Sequence, residues 1–146
     1  MKPVHILLVE DNEGDILLIT EAFESGKIIN KLSVVKDGKA AIDFLTRQGK
    51  YVSEALPDLL LLDINLPKKN GHEVLKFIKA DENLKQIPVI MLTTSSAKAD
   101  ILTSYQLYAN CYITKPVEVD SFLNIISNIE SFWISIATLP SKTDAR

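Results

Sequence analysis

At 146 residues, with 47 % apolar and 24 % charged residues, the chain is sized for one globular domain and one good core, and is too short for two ordinary ones. Its net charge of -3, with no cationic run longer than Lys68-Lys69, argues against a nucleic-acid surface, because such binding rests on cationic contacts to phosphates. The single cysteine, Cys111, allows no internal disulfide, and the N-terminal apolar stretch is too short to span a membrane; a soluble cytoplasmic protein without membrane contact is expected.

Val4 to Val9 is an unbroken aliphatic run that ends at Glu10 and Asp11. Such a run suits a parallel strand buried on both faces. From Asp15 to Phe23, residues Ile16, Leu17, Ile19, Ala22 and Phe23 predict a helix with one broad apolar face, stopped at Gly26. Lys31 to Val35 reads as a short strand with the turn pair Asp37-Gly38 behind it, and Lys39 to about Arg47 as a second helix. A loop from Gly49 to Pro57 precedes the second buried run, Leu59 to Leu62, which ends at Asp63. Asn70-Gly71 marks a turn into an amphipathic helix carrying Val74, Leu75, Phe77 and Ile78. Pro88 opens the run Val89 to Leu92, which leads into Thr93-Thr94-Ser95-Ser96; Ala97 to about Tyr108 is helical, and Tyr112 to Thr114 a strand that meets Lys115-Pro116. The last helix begins near Glu118 and carries Phe122, Leu123, Ile125, Ile126, Ile129, Phe132 and Trp133.

This alternation predicts an α/β fold: a doubly wound five-stranded parallel sheet covered on both faces through right-handed crossovers, with an extended C-terminal helix or tail. One domain over 1–146 is expected, its core about 3–131 and its extension about 132–146. Parallel strands deliver their carboxyl ends to one sheet edge, where ligands bind. That edge would gather Glu10, Asp11, Asp63, Thr93, Thr94 and Lys115. Three adjacent carboxylates repel one another unless a proton or a cation neutralises them, and Mg²⁺ suits an all-oxygen set that keeps several waters. A hydroxyl and an ammonium beside them would stabilise a phosphoryl group in transit, with Asp63 as the nucleophile of an acyl phosphate.

Five motifs in order, Leu8-Val9-Glu10-Asp11-Asn12, Leu62-Asp63-Ile64-Asn65-Leu66-Pro67, Asn70-Gly71, Met91-Leu92-Thr93-Thr94 and Tyr112-Ile113-Thr114-Lys115-Pro116, resemble those of the response-regulator receiver domains of two-component signalling. The resemblance covers nearly the whole chain and implies the flavodoxin-like receiver fold. It implies that Asp63 accepts phosphate from a sensor histidine kinase, with Asp11 a direct Mg²⁺ ligand, Glu10 a ligand largely through water, and Asp63 and the main-chain carbonyl of Asn65 completing the protein's share. Thr93 would bond the phosphoryl oxygens and Lys115 pair with them, while Asn65 and Thr94 modulate dephosphorylation. Thr93 and Tyr112 resemble the family's switch pair, and the Lys115-Pro116 bond is expected to be cis. Glu10 departs from the Asp that many members carry, and Thr94 from a smaller residue. No attached effector domain is expected, so the signal is expected to pass to another, unidentified protein. A closer resemblance, on Val9-Glu10-Asp11-Asn12-Glu13-Gly14-Asp15, Leu92 to Ser96, Ala109-Asn110-Cys111-Tyr112 and the tail Phe132-Trp133 to Leu139-Pro140, is to the stand-alone receivers of bacterial phytochrome-type histidine kinases.

Other readings stand beside these. Asp63 alone also fits a strand-end carboxylate capping a turn, Lys115 a solvated lysine, and Tyr112 a half-buried core residue. A haloacid-dehalogenase-like hydrolase would also use an aspartyl phosphate, but calls for a second acid two positions on, where Asn65 stands. A degenerate receiver acting as a binding module is disfavoured because every acceptor and metal position is filled. His5 and Cys111 read as packing residues and His72 as exposed. Phe132, Trp133, Ile134, Ile136 and Leu139 exceed what one terminal helix can bury on its own domain, which predicts a homodimer through the last helix and its extension.

Overall fold

Leu59–Leu62 is four consecutive leucines, each fully buried, and their alternation explains how an unbroken apolar run is used. Successive strand side chains point to opposite faces, so Leu60 and Leu62 join one core while Leu59 and Leu61 join the other. The computed structural model describes residues 3–26 and 30–140. In chain order the elements are β1 (Val4–Val9), α1 (Glu13–Glu24), β2 (Asn30–Val35), α2 (Gly38–Leu45), β3 (Leu59–Leu62), α3 (Gly71–Ala80), β4 (Val89–Thr93), α4 (Lys98–Gln106), β5 (Cys111–Thr114) and α5 (Val119–Ile129). All five strands are parallel, in the order β2-β1-β3-β4-β5. The predicted α/β architecture is therefore the observed one.

Leu7, Val9, Leu60, Leu62, Val89 and Met91 face α2 and α3, whereas Ile6, Leu8, Leu61, Ile90 and Leu92 face α1 and α5. Each such side chain stabilises the fold by roughly 1.5–3 kcal/mol through burial, an upper figure because the unfolded chain already hides some area. Helix starts explain most boundary differences from expectation. Asn12 accepts from Asp15 N at 2.9 Å and starts α1 at Glu13; Asp37 accepts from Ala40 N at 2.7 Å and starts α2 at Gly38. Asn70 and Glu73 form a reciprocal capping box at α3. The predicted loop after α2 contains a 3₁₀ turn, Gly49–Tyr51.

Beyond α5 the chain continues as a π-helical segment, Glu130–Ile136, in which Ala137 N donates to Phe132 O at 2.8 Å. The wider turn sets Ile134 five residues after Ile129, and both are buried in the α1/α5 core with Leu139. The extension is thus divided. Ile134 and Leu139 fold back, while Phe132 and Ile136 remain 52 % and 68 % exposed; residues 141–146 of the extension lie outside the described residues.

Two expectations are corrected. The described residues hold no cis peptide bond, so Lys115-Pro116 keeps the trans form, which an X–Pro bond favours by about 0.5–1 kcal/mol. His72 is half-buried, because α3 packs on α4 and brings its Nε2 to 2.9 Å from Ser104 Oγ. His5 is a packing residue, stacked in a tilted contact on Phe44 with Nε2 2.9 Å from Ser33 Oγ.

Candidate functional site

The ladder continues one rung past three strands and fixes their ends at one edge of the sheet. Glu10 N donates to Val35 O at 3.0 Å, Asp63 N to Val9 O at 3.1 Å, and Lys115 N to Thr93 O at 2.7 Å. Glu10 and Asp63 are buried and Asp11 is exposed at the mouth. One carboxylate oxygen from each of the three lies within 4.8 Å of the other two, the one such group of acidic, histidine or cysteine ligands among the described residues.

Lys115 stands against these acids with its side chain 3 % exposed. Its Nζ donates to Glu10 Oε1, to Asp15 Oδ2 at 2.9 Å and to Asp63 Oδ2 at 3.4 Å. The other oxygens are held by the backbone: Ile64 N donates to Asp63 Oδ1 at 2.7 Å, and Asn12 N to Glu10 Oε2 at 3.2 Å. Burial pulls the Lys115 ammonium down, but the bonds to Glu10 and Asp15 and the Asp63 charge outweigh it and raise its pKa. Burial, helped by the Asp63 charge and opposed by Lys115, pushes Glu10 up to about 7.

A group whose native pKa is raised contributes stability that is complete below its unfolded value, near 4.5, and lost as pH rises through about 7. Without a divalent cation, the chain is therefore expected to lose stability between about pH 5 and pH 8 through Glu10, and Glu10→Gln to flatten that part of the profile. Urea midpoints in EDTA across this range check it; an equal slope in Glu10→Gln would contradict it.

Thr93 is fully buried at the end of β4, its Oγ1 3.5 Å from Ser95 N. Tyr112 is half-buried; its hydroxyl donates to Ser95 O at 2.8 Å, so it holds the β4–α4 loop two residues beyond Thr93. Ser95 Oγ in turn donates to Asp100 Oδ2 at 2.5 Å on α4. Asn65 and Thr94 are both exposed, two residues after Asp63 and one after Thr93.

Sequence reasoning missed two residues. The sequence places Asp15 at the start of a helix, and it does lie in the first turn of α1, but it also reaches Lys115 from 100 positions away. Gly71 was read as a turn residue. A Cβ there would lie 2.0 Å from Asp63 O and 2.7 Å from Ile64 Cα, and Gly71 N donates to Ile64 O at 2.7 Å. Only the missing side chain lets α3 start against the backbone that carries Asp63.

A hard divalent cation fits this donor set. The ligands are all oxygens, two carboxylates are buried and mutually repelling, and the exposed Asp11 leaves room for water on the ion.

The family model for the response regulator receiver domain matches residues 6–127. Among curated proteins, response regulator Rcp1 of Synechocystis sp. is 45 % identical over 139 residues, covering 95 % of each chain. Among solved structures, the phosphorylated cyanobacterial phytochrome response regulator RcpA superposes with a TM-score of 0.93 at 47 % identity, over 95 % of this chain and 99 % of its own. The Mn²⁺-bound form of Rcp1 gives 0.92 at 46 % identity, over 94 % and 99 %.

Proposed function

The chain belongs to the response regulator receiver domain family, and from that premise we propose that Asp63 accepts a phosphoryl group from a sensor histidine kinase and that the resulting change of surface is read by a partner protein. The observation that carries this reading is the meeting of Glu10, Asp11, Asp63 and Lys115, from three strand ends, in one pocket. Glu10, Asp11, Asp63 and the main-chain carbonyl of Asn65 would hold Mg²⁺, which would supply charge neutralisation for the phosphoryl oxygens.

One carboxylate oxygen of Asp63 attacks phosphorus as the bond to the donor's leaving group breaks, which gives an acyl phosphate. The Lys115 ammonium neutralises charge on the transferred group, and the Thr93 hydroxyl donates to it. Thr93 is tied to the β4–α4 loop through Ser95, and Tyr112 bonds the carbonyl of the same residue. Drawing Thr93 toward the phosphoryl group releases Tyr112 to move inward, and this pair biases the surface of α4 and β5. A resting active population of about 0.1–10 % corresponds to a gap of a few kcal/mol, within reach of strong phosphate contacts. Asn65 and Thr94, exposed at the rim, modulate access of the hydrolytic water and the lifetime of the adduct.

The kinase is of the phytochrome type; the support is the identity to the cyanobacterial phytochrome response regulator. No helix among the described residues is long and apolar enough to cross a membrane. Incubation with Mg²⁺ and acetyl phosphate tests the core of the proposal. A base-labile, hydroxylamine-sensitive adduct is expected; sustained turnover of a phosphomonoester would favour a hydrolase instead.

The homodimer is proposed to form on α5 and its extension. Phe132 and Ile136 are exposed there, and Phe132 packs edge-on to Trp133 at 5.6 Å. Phe132→Glu combined with Ile136→Lys is expected to convert a dimeric mass to a monomeric one by light scattering at micromolar concentration, without unfolding. A monomeric mass for the unsubstituted chain would contradict the dimer.

A further inference from the structure

We infer that Asp15 is a positioning residue for Lys115, a role that rests on the proposed reading of Asp63 as acceptor and of Glu10, Asp11 and Asp63 as cation ligands. An ammonium has three N–H donors, and three carboxylates lie within hydrogen-bonding distance of Lys115 Nζ: Glu10, Asp15 at 2.9 Å and Asp63 at 3.4 Å. Two of those three are cation ligands as well. Asp15 is not: it stands outside the acid group, on the first turn of α1, with its side chain 23 % exposed.

The ammonium and a cation therefore compete for Glu10 and Asp63, and only Asp15 stays free to hold Lys115 once the cation is in place. Asp15 keeps Nζ close enough to Asp63, 3.4 Å from its Oδ2, that a turn of the flexible lysine stem meets a phosphoryl oxygen arriving there. Without Asp15 the ammonium falls back on Glu10 and Asp63, and the cation must displace it from both. Asp15 thus acts on cation binding through Lys115 and not merely by adding negative charge.

Calorimetric titration of the full chain with Mg²⁺ alone tests this as a double-mutant cycle. Asp15→Asn is expected to weaken Mg²⁺ binding at least about threefold, within the range of one charge-assisted hydrogen bond, but less than about 1.5-fold in a Lys115→Met background. Glu13→Gln removes an equal charge from the same turn, where Glu13 pairs with Lys36, and is expected to change affinity by less than about 1.5-fold. That comparison stands even where Lys115→Met does not fold. Equal weakening in both Lys115 backgrounds, equal weakening by Asp15→Asn and Glu13→Gln, or no weakening by Asp15→Asn, overturns the positioning role and leaves the cation site intact. Absence of Mg²⁺ binding by the unsubstituted chain overturns the cation reading, and the positioning role with it.

Discussion

Asp63→Asn is expected to abolish phosphorylation by acetyl phosphate, with the rate of adduct formation falling by at least about 10³-fold, because an amide oxygen is no nucleophile for phosphorus and no other carboxylate replaces it. Glu10 and Asp11 are the nearest candidates. Glu10, however, has one oxygen bonded to Lys115 and the other to Asn12 N, and Asp11 stands at the exposed mouth. The variant is expected to fold as well as the parent or better. Three carboxylates, from Glu10, Asp15 and Asp63, surround one ammonium and Asp11 adds a fourth charge beside Glu10 and Asp63, so loss of one charge relieves repulsion. Its urea midpoint in EDTA checks that half of the prediction, and separates loss of the acceptor from loss of the fold.

Gly71→Ala is expected to destabilise the chain and to disturb its acceptor together. The added Cβ would fall 2.0 Å from Asp63 O and 2.7 Å from Ile64 Cα, both backbone atoms that no side-chain rotation can clear. Overpacking of this kind costs about 1–3 kcal/mol and occasionally more, which lowers Tm by several degrees in a domain of this size. Relief of the clash shifts the segment that carries the acceptor, so adduct formation is also expected to fall, by about tenfold or more, since small misplacements of reacting groups cost rate steeply. Gly14→Ala is the matching control. Its Cβ meets only Asn12 Oδ1 at 3.3 Å, and alanine is the better helix former by about 0.8–1.0 kcal/mol. Thermal unfolding of the two variants side by side checks the pair; equal Tm values would contradict the assignment of Gly71 as a close-approach glycine.

The order of elements and the site edge were legible in the sequence because the signals are local. Unbroken aliphatic runs end at Glu10, Asp63 and Thr93, and parallel pairing then places those ends together without further information. Contacts between residues distant in the chain were not legible. Nothing around Asp15 distinguishes a helix-start acid from a partner of Lys115, because both want a carboxylate in the first turn. The same holds for Gly71, whose constraint is set by Asp63 O and not by its own turn. His72, expected to be exposed, is half-buried because Ser104, the single fully buried residue of α4, supplies its partner from another helix. In the tail, the apolar surplus was visible, but the π-helical turn that buries Ile134 and Leu139 and leaves Phe132 outside has no period that helical spacing reveals. The resemblance to receivers supplied roles for Thr93 and Tyr112 that spacing could not, and here the structure adds Ser95 as the residue that both contact.

Peptide mapping of the intact chain after brief incubation with Mg²⁺ and acetyl phosphate tests the central claim most directly. One phosphoryl group per chain, hydroxylamine-sensitive and located at Asp63, is the predicted result. Phosphate on any other residue, or an adduct that persists in Asp63→Asn, would contradict it.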